Sequence, residues 1–277
     1  MVNQHEKNVV VFGAGRSGTT WLAQIIAAAG LELIFEPLWS KEVPEVAGWK
    51  PLPLFFRKRD DFPWHETFSE IMNGEVRNEW IVRQNPGAQR KVIKFIRANL
   101  MIDWILEHYP VHPVFIVRNP LSVVASMKEQ EWYVPEQWIG SLLRAPRLAK
   151  PFFTNLPGVA DLSNRDLTEV EAKAVFWCVQ NFIPQELGCF DRLHILVYEE
   201  LCEDPEGVVE RLALKIHMPM TDEVRAQLHR RSFMVGKRNE EAGYDPTTAW
   251  RGVLSDAEAD AIEDIVHRFR LDGFLRR

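Results

Sequence analysis

Three cysteines in a chain of 277 residues, Cys178, Cys189 and Cys202, are too few and too far apart for a disulfide scaffold. They also lack the paired spacing of zinc ligands and read as plain thiols, which fits a reducing, cytoplasmic setting. No apolar run is long enough to span a membrane. The amino end, MVNQHEKNVVVFGAGRSG, passes from a short polar tail into an apolar run that stops at glycine, with no signal-peptide cleavage pattern. Positive charge is not in excess: 33 Lys plus Arg stand against 39 Asp plus Glu, a formal net charge of −6. Bulk charge therefore gives no reason to expect a nucleic-acid partner. Internal repeats and low-complexity tracts are missing as well. A composition of 46% hydrophobic and 26% charged residues argues against disorder. The length suffices for one large core, so a single domain over 1–277 is expected, and oligomeric state is left open.

What is present is an alternation of short apolar runs and helical patterns. Val9 to Phe12 looks like a strand buried on both faces. Gly13 to Gly18 follows, and Thr20 to Ala29 repeats apolar residues at helical spacing up to Gly30. Lys91 to Ile96, Val114 to Val117 and Leu193 to Val197 read as further strands. Helical patterns run over Leu100 to His108, Leu121 to Glu129, and Thr168 to Leu187, the last opened by a capping box of Thr168 and Glu171. Asp204-Pro205 and Ser255 with Glu258 open two more helices. The expected fold is α/β: a mostly parallel sheet of about five strands with helices on both faces and a P-loop-like nucleotide-binding core. Two aromatic, proline-rich stretches break the alternation, Pro37 to Pro86 and Trp132 to Arg165. They are either surface loops or the walls of an acceptor cavity, covering about 37–90 and 132–165.

Gly13-Ala14-Gly15-Arg16-Ser17-Gly18-Thr19-Thr20 joins the first strand to the first helix. Backbone amides of such a loop, with the helix's positive end, favour an anion. Ser17, Thr19 and Thr20 add hydroxyls, and Arg16 adds a permanent charge. The spacing is near GxxxxGK[ST], yet Thr19 stands where ATP and GTP enzymes carry lysine. No predicted strand ends in the aspartate that commonly holds Mg²⁺. A nucleotide without a γ-phosphate and without a required metal fits better. The dinucleotide pattern GxGxxG is also present as Gly13, Gly15 and Gly18, with Glu32 or Glu36 as its ribose acid, so a second site has to discriminate. Arg118 closes a buried strand, and Asn119-Pro120 then turns into a helix carrying Ser122 and Ser126. That arrangement could clamp a second phosphate, or Arg118 could pair with a neighbouring acid.

With these residues in hand the sequence resembles the sulfotransferases that use 3′-phosphoadenosine 5′-phosphosulfate (PAPS), closer to their bacterial and carbohydrate-type members. Arg16-Ser17-Gly18-Thr19-Thr20-Trp21 resembles their 5′-phosphosulfate loop, and Arg118-Asn119-Pro120 with Ser126 their 3′-phosphate segment. Tyr198-Glu199-Glu200-Leu201 before Asp204-Pro205 is similar to a third shared stretch. Trp250-Arg251-Gly252 falls where members complete the 3′-phosphate and adenine pocket. The resemblance implies PAPS as sulfuryl donor, with Gly15 through Trp21 and these later residues binding it, no metal, and a parallel five-stranded α/β core.

Lys94 falls where cytosolic members carry a lysine at the transferring group, but their histidine two residues on is replaced here by Ile96. Arg97 stays protonated and cannot serve as base. Carbohydrate and bacterial members often use a glutamate in a segment resembling Phe35-Glu36-Pro37-Leu38. Glu36 is therefore the candidate base, in an apolar run where a modestly raised pKa is expected. Its alternative is a structural acid paired with Lys or Arg; Glu32, Glu42 and His65 are the competing bases. Arg16, Lys94 and the Thr19–Thr20 end of the loop would stabilise the sulfuryl oxygens. The acceptor is a hydroxyl or amine on a small molecule, carbohydrate or lipid. Trp39, Trp49, Trp64, Trp80, Trp132, Tyr133 and Trp138 would line its site or fill core. Competing functions are a Mg-ATP-dependent kinase with an altered loop and a non-catalytic nucleotide-binding protein.

Overall fold

A computed structural model describes residues 6–49, 54–230 and 245–276. Residues 1–5 of the polar tail and 50–53 of the first aromatic stretch lie outside the described residues. The chain divides into two compact units, Met1–Val117 with Leu187–Val235, and Arg118–Glu186 with Gly236–Arg277.

In the first unit the order is β1 (Val9–Phe12), α1 (Thr19–Ala27), β2 (Glu32–Phe35), α2 (His65–Asn73), β3 (Val82–Gln84), β4 (Lys91–Phe95), α3 (Ile102–His108) and β5 (His112–Val117). The second unit holds α4 (Pro120–Glu129), α5 (Glu136–Arg144), α6 (Pro146–Leu148), α7 (Pro157–Leu162) and α8 (Glu169–Glu186). The chain then completes the first unit with β6 (His194–Val197), α9 (Tyr198–Glu203), α10 (Pro205–Ile216) and α11 (Asp222–Leu228), and the second with α12 (Asp256–Arg268).

The sheet has six strands in the order β3-β2-β4-β1-β5-β6, where about five were expected. Five are parallel, and the addition is β3, antiparallel at the edge beside β2. Strand side chains alternate between faces. On one face Val9, Val11, Leu33, Val92, Val114 and Ile116 pack with Leu22, Ile25 and Ile26 of α1 and Val209, Leu212 and Ile216 of α10. On the other, Phe12 stacks on Phe95, and Phe95 on Phe68 of α2, which meets Trp104 of α3 edge-on. Each such fully buried aromatic or aliphatic side chain contributes roughly 1.5–3 kcal/mol. Trp49, Phe62 and Trp64 join the Phe68–Trp104 side. That part of the first aromatic stretch fills core.

Local signals hold where they were read. Thr168 and Glu171 exchange the two bonds of a capping box, as do Ser255 and Glu258. Asp204 accepts from the Gly207 amide at 2.9 Å to open α10. At the far end of β4, Arg90 donates to the carbonyls of Lys7, Ile216 and His217, and so binds the last turn of α10. The three cysteines form no disulfide, and burial pushes Cys178 well up and Cys189 up to about 12, the latter helped by Asp103. No described helix is long and apolar enough to cross a membrane.

Candidate active site

Parallel strands place their carboxyl ends on one side of a sheet, where α/β folds build their sites. Here β2, β4 and β1 are neighbours, and the residues that leave these three ends meet. Phe35 is the register partner of Lys94, and Phe12 that of Phe95. The Glu36 amide then donates to the Lys94 carbonyl at 3.1 Å, which seats Glu36 beside the end of β4.

Side chains follow the backbone. Glu36 and Lys94 are both buried and form an ion pair through Oε1 and Nζ. Arg97 reaches the other oxygen, its Nη1 donating to Glu36 Oε2 at 2.6 Å. The pairing with Lys and Arg that the sequence leaves open is thus made. It also corrects the expected pKa. Burial alone would raise the Glu36 carboxyl, but the charges and hydrogen bonds of Lys94 and Arg97 outweigh it, and the group is held below its ordinary value. Lys94 is lowered too, by burial first; Glu36 opposes this, while the Arg97 and Arg16 charges add to it. In the sequence Arg97 is excluded as a base, and nothing local announces it as a partner of Glu36, 61 residues away.

The loop after β1 is shaped by close approach. A Cβ on Gly13 would lie 2.6 Å from the Ile116 carbonyl oxygen of β5, a backbone atom with nowhere to go. The Gly13 amide donates to Asn99 Oδ1 at 3.3 Å. Gly15 is buried, and Arg16 is half-buried with a left-handed φ of 71°. Glu36 is left-handed as well, at 42°. Such strain in a non-glycine residue costs roughly 1–3 kcal/mol and gathers at functional positions. Gly18, at φ +89°, caps α1 with no side-chain hydrogen bond, which leaves the first amides of the helix for an anion. Ser17 is fully buried, and among the described residues its hydroxyl meets no hydrogen-bond partner. Thr19 and Thr20 are buried, and Trp21 packs edge-on to Tyr198. Together these features fit a bound anionic group. Gly18→Ala should weaken adenosine 3′,5′-bisphosphate binding about tenfold or more, because the new Cβ would lie 2.4 Å from the Tyr198 ring in a backbone region that disfavours side chains. Titration calorimetry checks this; unchanged affinity would remove the loop from nucleotide binding.

The second unit carries the other candidates. Arg118 is buried and donates through Nη2 to the Pro246 carbonyl at 2.6 Å. Asn119 caps α4, accepting from the Leu121 amide at 3.1 Å, and Pro120 occupies the first turn. Ser122 donates to the Thr247 carbonyl at 3.2 Å, and Ser126 sits half-buried one turn further along α4. Trp250, Arg251 and Gly252 lie in a 3₁₀ turn, with the Arg251 guanidinium 4.8 Å from the centre of the Trp250 ring. Among the described residues no group of three or more His, Cys, Asp or Glu is placed to hold a metal ion.

Comparison with known proteins agrees with this chemistry. A family model described as a sulfotransferase domain matches residues 6–253. The sulfotransferase domain from the Synechococcus PCC 7002 olefin synthase is similar in fold: 16% identity over 98% of this chain and 97% of that one, with a TM-score of 0.53. The sulfotransferase STF9 from Mycobacterium avium gives 14% identity, coverage of 98% and 78%, and a TM-score of 0.48. The sulfotransferase domain from the curacin biosynthetic pathway gives 14%, 95% and 97%, and 0.47. No curated protein matches the sequence significantly. A match over nine-tenths of the chain, which takes in the glycine loop and the buried Lys–Glu pair, settles the family: this chain belongs to the sulfotransferases and is an enzyme that takes its sulfuryl group from PAPS.

Proposed function

We propose that Glu36 takes the proton of the acceptor hydroxyl or amine while Arg16, Lys94, Thr19 and Thr20 hold the transferring group. The observation that carries this reading is the buried Glu36–Lys94 pair at the ends of two adjacent strands, one strand away from the glycine loop. PAPS, when bound, supplies the sulfuryl group and a bisphosphate leaving group. Gly15 through Trp21 receive the 5′-phosphosulfate in a P-loop-like manner: backbone amides and the uncapped start of α1 meet the phosphate, and the Ser17 hydroxyl finds a partner there. Lys94 and Arg16 neutralise the sulfuryl oxygens during in-line attack, in the way fixed cations serve phosphoryl transfer. Glu36 is already ionised at neutral pH, so it can accept the proton as the new S–O bond forms and the bond to the phosphate breaks.

Arg118 and Ser126 hold the 3′-phosphate, and Trp250, Arg251 and Gly252 complete that part of the nucleotide site. The whole chain acts as one sulfotransferase domain, with segments 37–90 and 132–165 on the acceptor side. The acceptor is a small molecule, carbohydrate or lipid. Cysteines without a disulfide, two of them buried, suit a cytoplasmic setting. The donor assignment is tested by Arg118→Ala. A charge-assisted contact is worth roughly 1.5–3 kcal/mol, so affinity for adenosine 3′,5′-bisphosphate should fall about tenfold to a hundredfold. Adenosine 5′-monophosphate, which lacks the 3′-phosphate, should lose far less, and Ser126→Ala should show the same selectivity more weakly. Equal losses for both nucleotides in calorimetry would end the 3′-phosphate assignment.

A further inference from the structure

Beside Glu36 the first unit carries a second set of groups that donor binding leaves unused. Trp39 and Trp80 meet edge to face with ring centres 4.4 Å apart, and Trp80 packs on Phe35 at 5.2 Å. A guanidinium lies against each indole: Arg97 at 5.3 Å from the centre of Trp39, and Arg83 at 4.9 Å from that of Trp80. Both tryptophans are half-buried, Arg97 keeps 28% of its side chain exposed, and Arg83 is exposed on β3. Stacking of this kind covers the face of a guanidinium and leaves its N–H edge directed outward, the geometry that receives a carboxylate or phosphate side-on.

The charge balance and the hydrogen-bonding balance point the same way. Two cations, Lys94 and Arg97, share the Glu36 carboxylate, and Arg83 against Trp80 adds a third positive charge to this part of a chain whose formal net charge is −6. Glu36 is already shared between Lys94 and Arg97. Among the described residues Arg83 has no ion-pair partner, although it lies 5.6 Å from the centre of Phe35, the residue before Glu36. Arginine donates and never accepts. A ligand that suits this wall must bring an anion for the guanidiniums, a flat or apolar body for the indoles, and a hydroxyl or amine for Glu36.

We propose that Trp39, Trp80, Arg83 and Arg97 form an acceptor-recognition wall, and that the acceptor is a hydroxyl or amine compound carrying an anionic group. This rests on the reading of Glu36 as the acceptor's base. Arg83 is a specificity residue: it grips the anion and takes no part in moving the sulfuryl group. The indoles support the body of the acceptor between that anion and Glu36.

The test uses acid and amide pairs of otherwise identical acceptors, 4-hydroxyphenylacetate with its amide and 12-hydroxydodecanoate with its amide, each with labelled PAPS and the full chain. In at least one pair the acid should exceed its amide by roughly tenfold or more in kcat/KM, the size of one charge-assisted bidentate contact. Added salt should shrink the ratio. In Arg83→Gln the ratio should drop to within about threefold, chiefly through KM for the acid. Acids used no better than amides, or a preference that Arg83→Gln leaves intact, would overturn the proposal. The base assignment fails separately: Glu36→Gln with undiminished transfer to the amides would remove the base, while the acid-to-amide ratio of the parent still decides the wall.

Discussion

Glu36→Gln should lower single-turnover transfer by about 10²–10⁴-fold at saturating PAPS and acceptor, the ordinary contribution of a placed proton acceptor. Glutamine keeps the shape and can still accept through its one amide oxygen from Lys94 or Arg97, so PAPS affinity should stay close to that of the parent. Acceptors with a more acidic hydroxyl should suffer less, because they need less help in losing the proton. The pH profile gives an independent sign. Burial raises the Glu36 carboxyl and the Lys94 and Arg97 interactions lower it by more, so the acid limb of kcat/KM belongs below the ordinary carboxylate range. Arg97→Gln removes one of the lowering charges, and the limb should move to higher pH. The same depressed pKa means that the Glu36 carboxyl contributes stability above the unfolded carboxyl's pKa, and that contribution is lost as pH falls through the folded value. A Glu36→Gln rate within about threefold of the parent would send the search for the base to His65.

How far the sequence reached depended on whether a feature was local. The glycine loop, the strands at Val9–Phe12 and Lys91–Phe95, the Asn119-Pro120 turn and the caps at Thr168, Asp204 and Ser255 are written in consecutive residues. β2 shows in the sequence only as an apolar run because it is four residues long, starts at the buried charge of Glu32, and follows α1 after a short turn at Gly30. Glu32 is tolerated there because Arg77 and Lys91 pair with it. β3 leaves no mark in the sequence for a different reason. Val82-Arg83-Gln84 is a half-exposed antiparallel edge with no apolar run to mark it. The tryptophans divided in a way composition could not foretell: Trp49 lies in a ring cluster with Phe62 and Phe68, while Trp39 and Trp80 carry guanidiniums beside Glu36. The sign of the Glu36 pKa shift failed for want of one fact, that β2 and β4 are neighbours in register. Adjacency of strands is a property of the sheet, and it delivers Lys94 and Arg97 to a glutamate that looked isolated in its apolar segment.

Lys94→Met should damage both stability and turnover, and the two losses can be separated. Lys94 is 2% exposed, and its ammonium meets Glu36 on one side and the Phe35 ring at 4.3 Å on the other. Methionine fills much of the same space but leaves the Glu36 carboxylate buried with only Arg97 to compensate it. Removing one member of a buried pair typically costs about 3–5 kcal/mol, because the remaining charge has lost its partner and cannot reach water. The denaturant midpoint should fall accordingly, with the m-value unchanged. Transfer should fall by roughly 10²–10³-fold, the usual consequence of losing a fixed charge that stabilises the transition state. Combining Lys94→Met with Glu36→Gln removes both charges, so most of the lost stability should return while the rate does not. Recovery of stability without recovery of rate would show that the pair is held for chemistry, since the fold no longer needs it once both charges are gone. A double variant as unstable as Lys94→Met alone would place the cost in packing at position 94 instead, and a single variant with transfer within about threefold of the parent would take Lys94 out of the transferring group's surroundings.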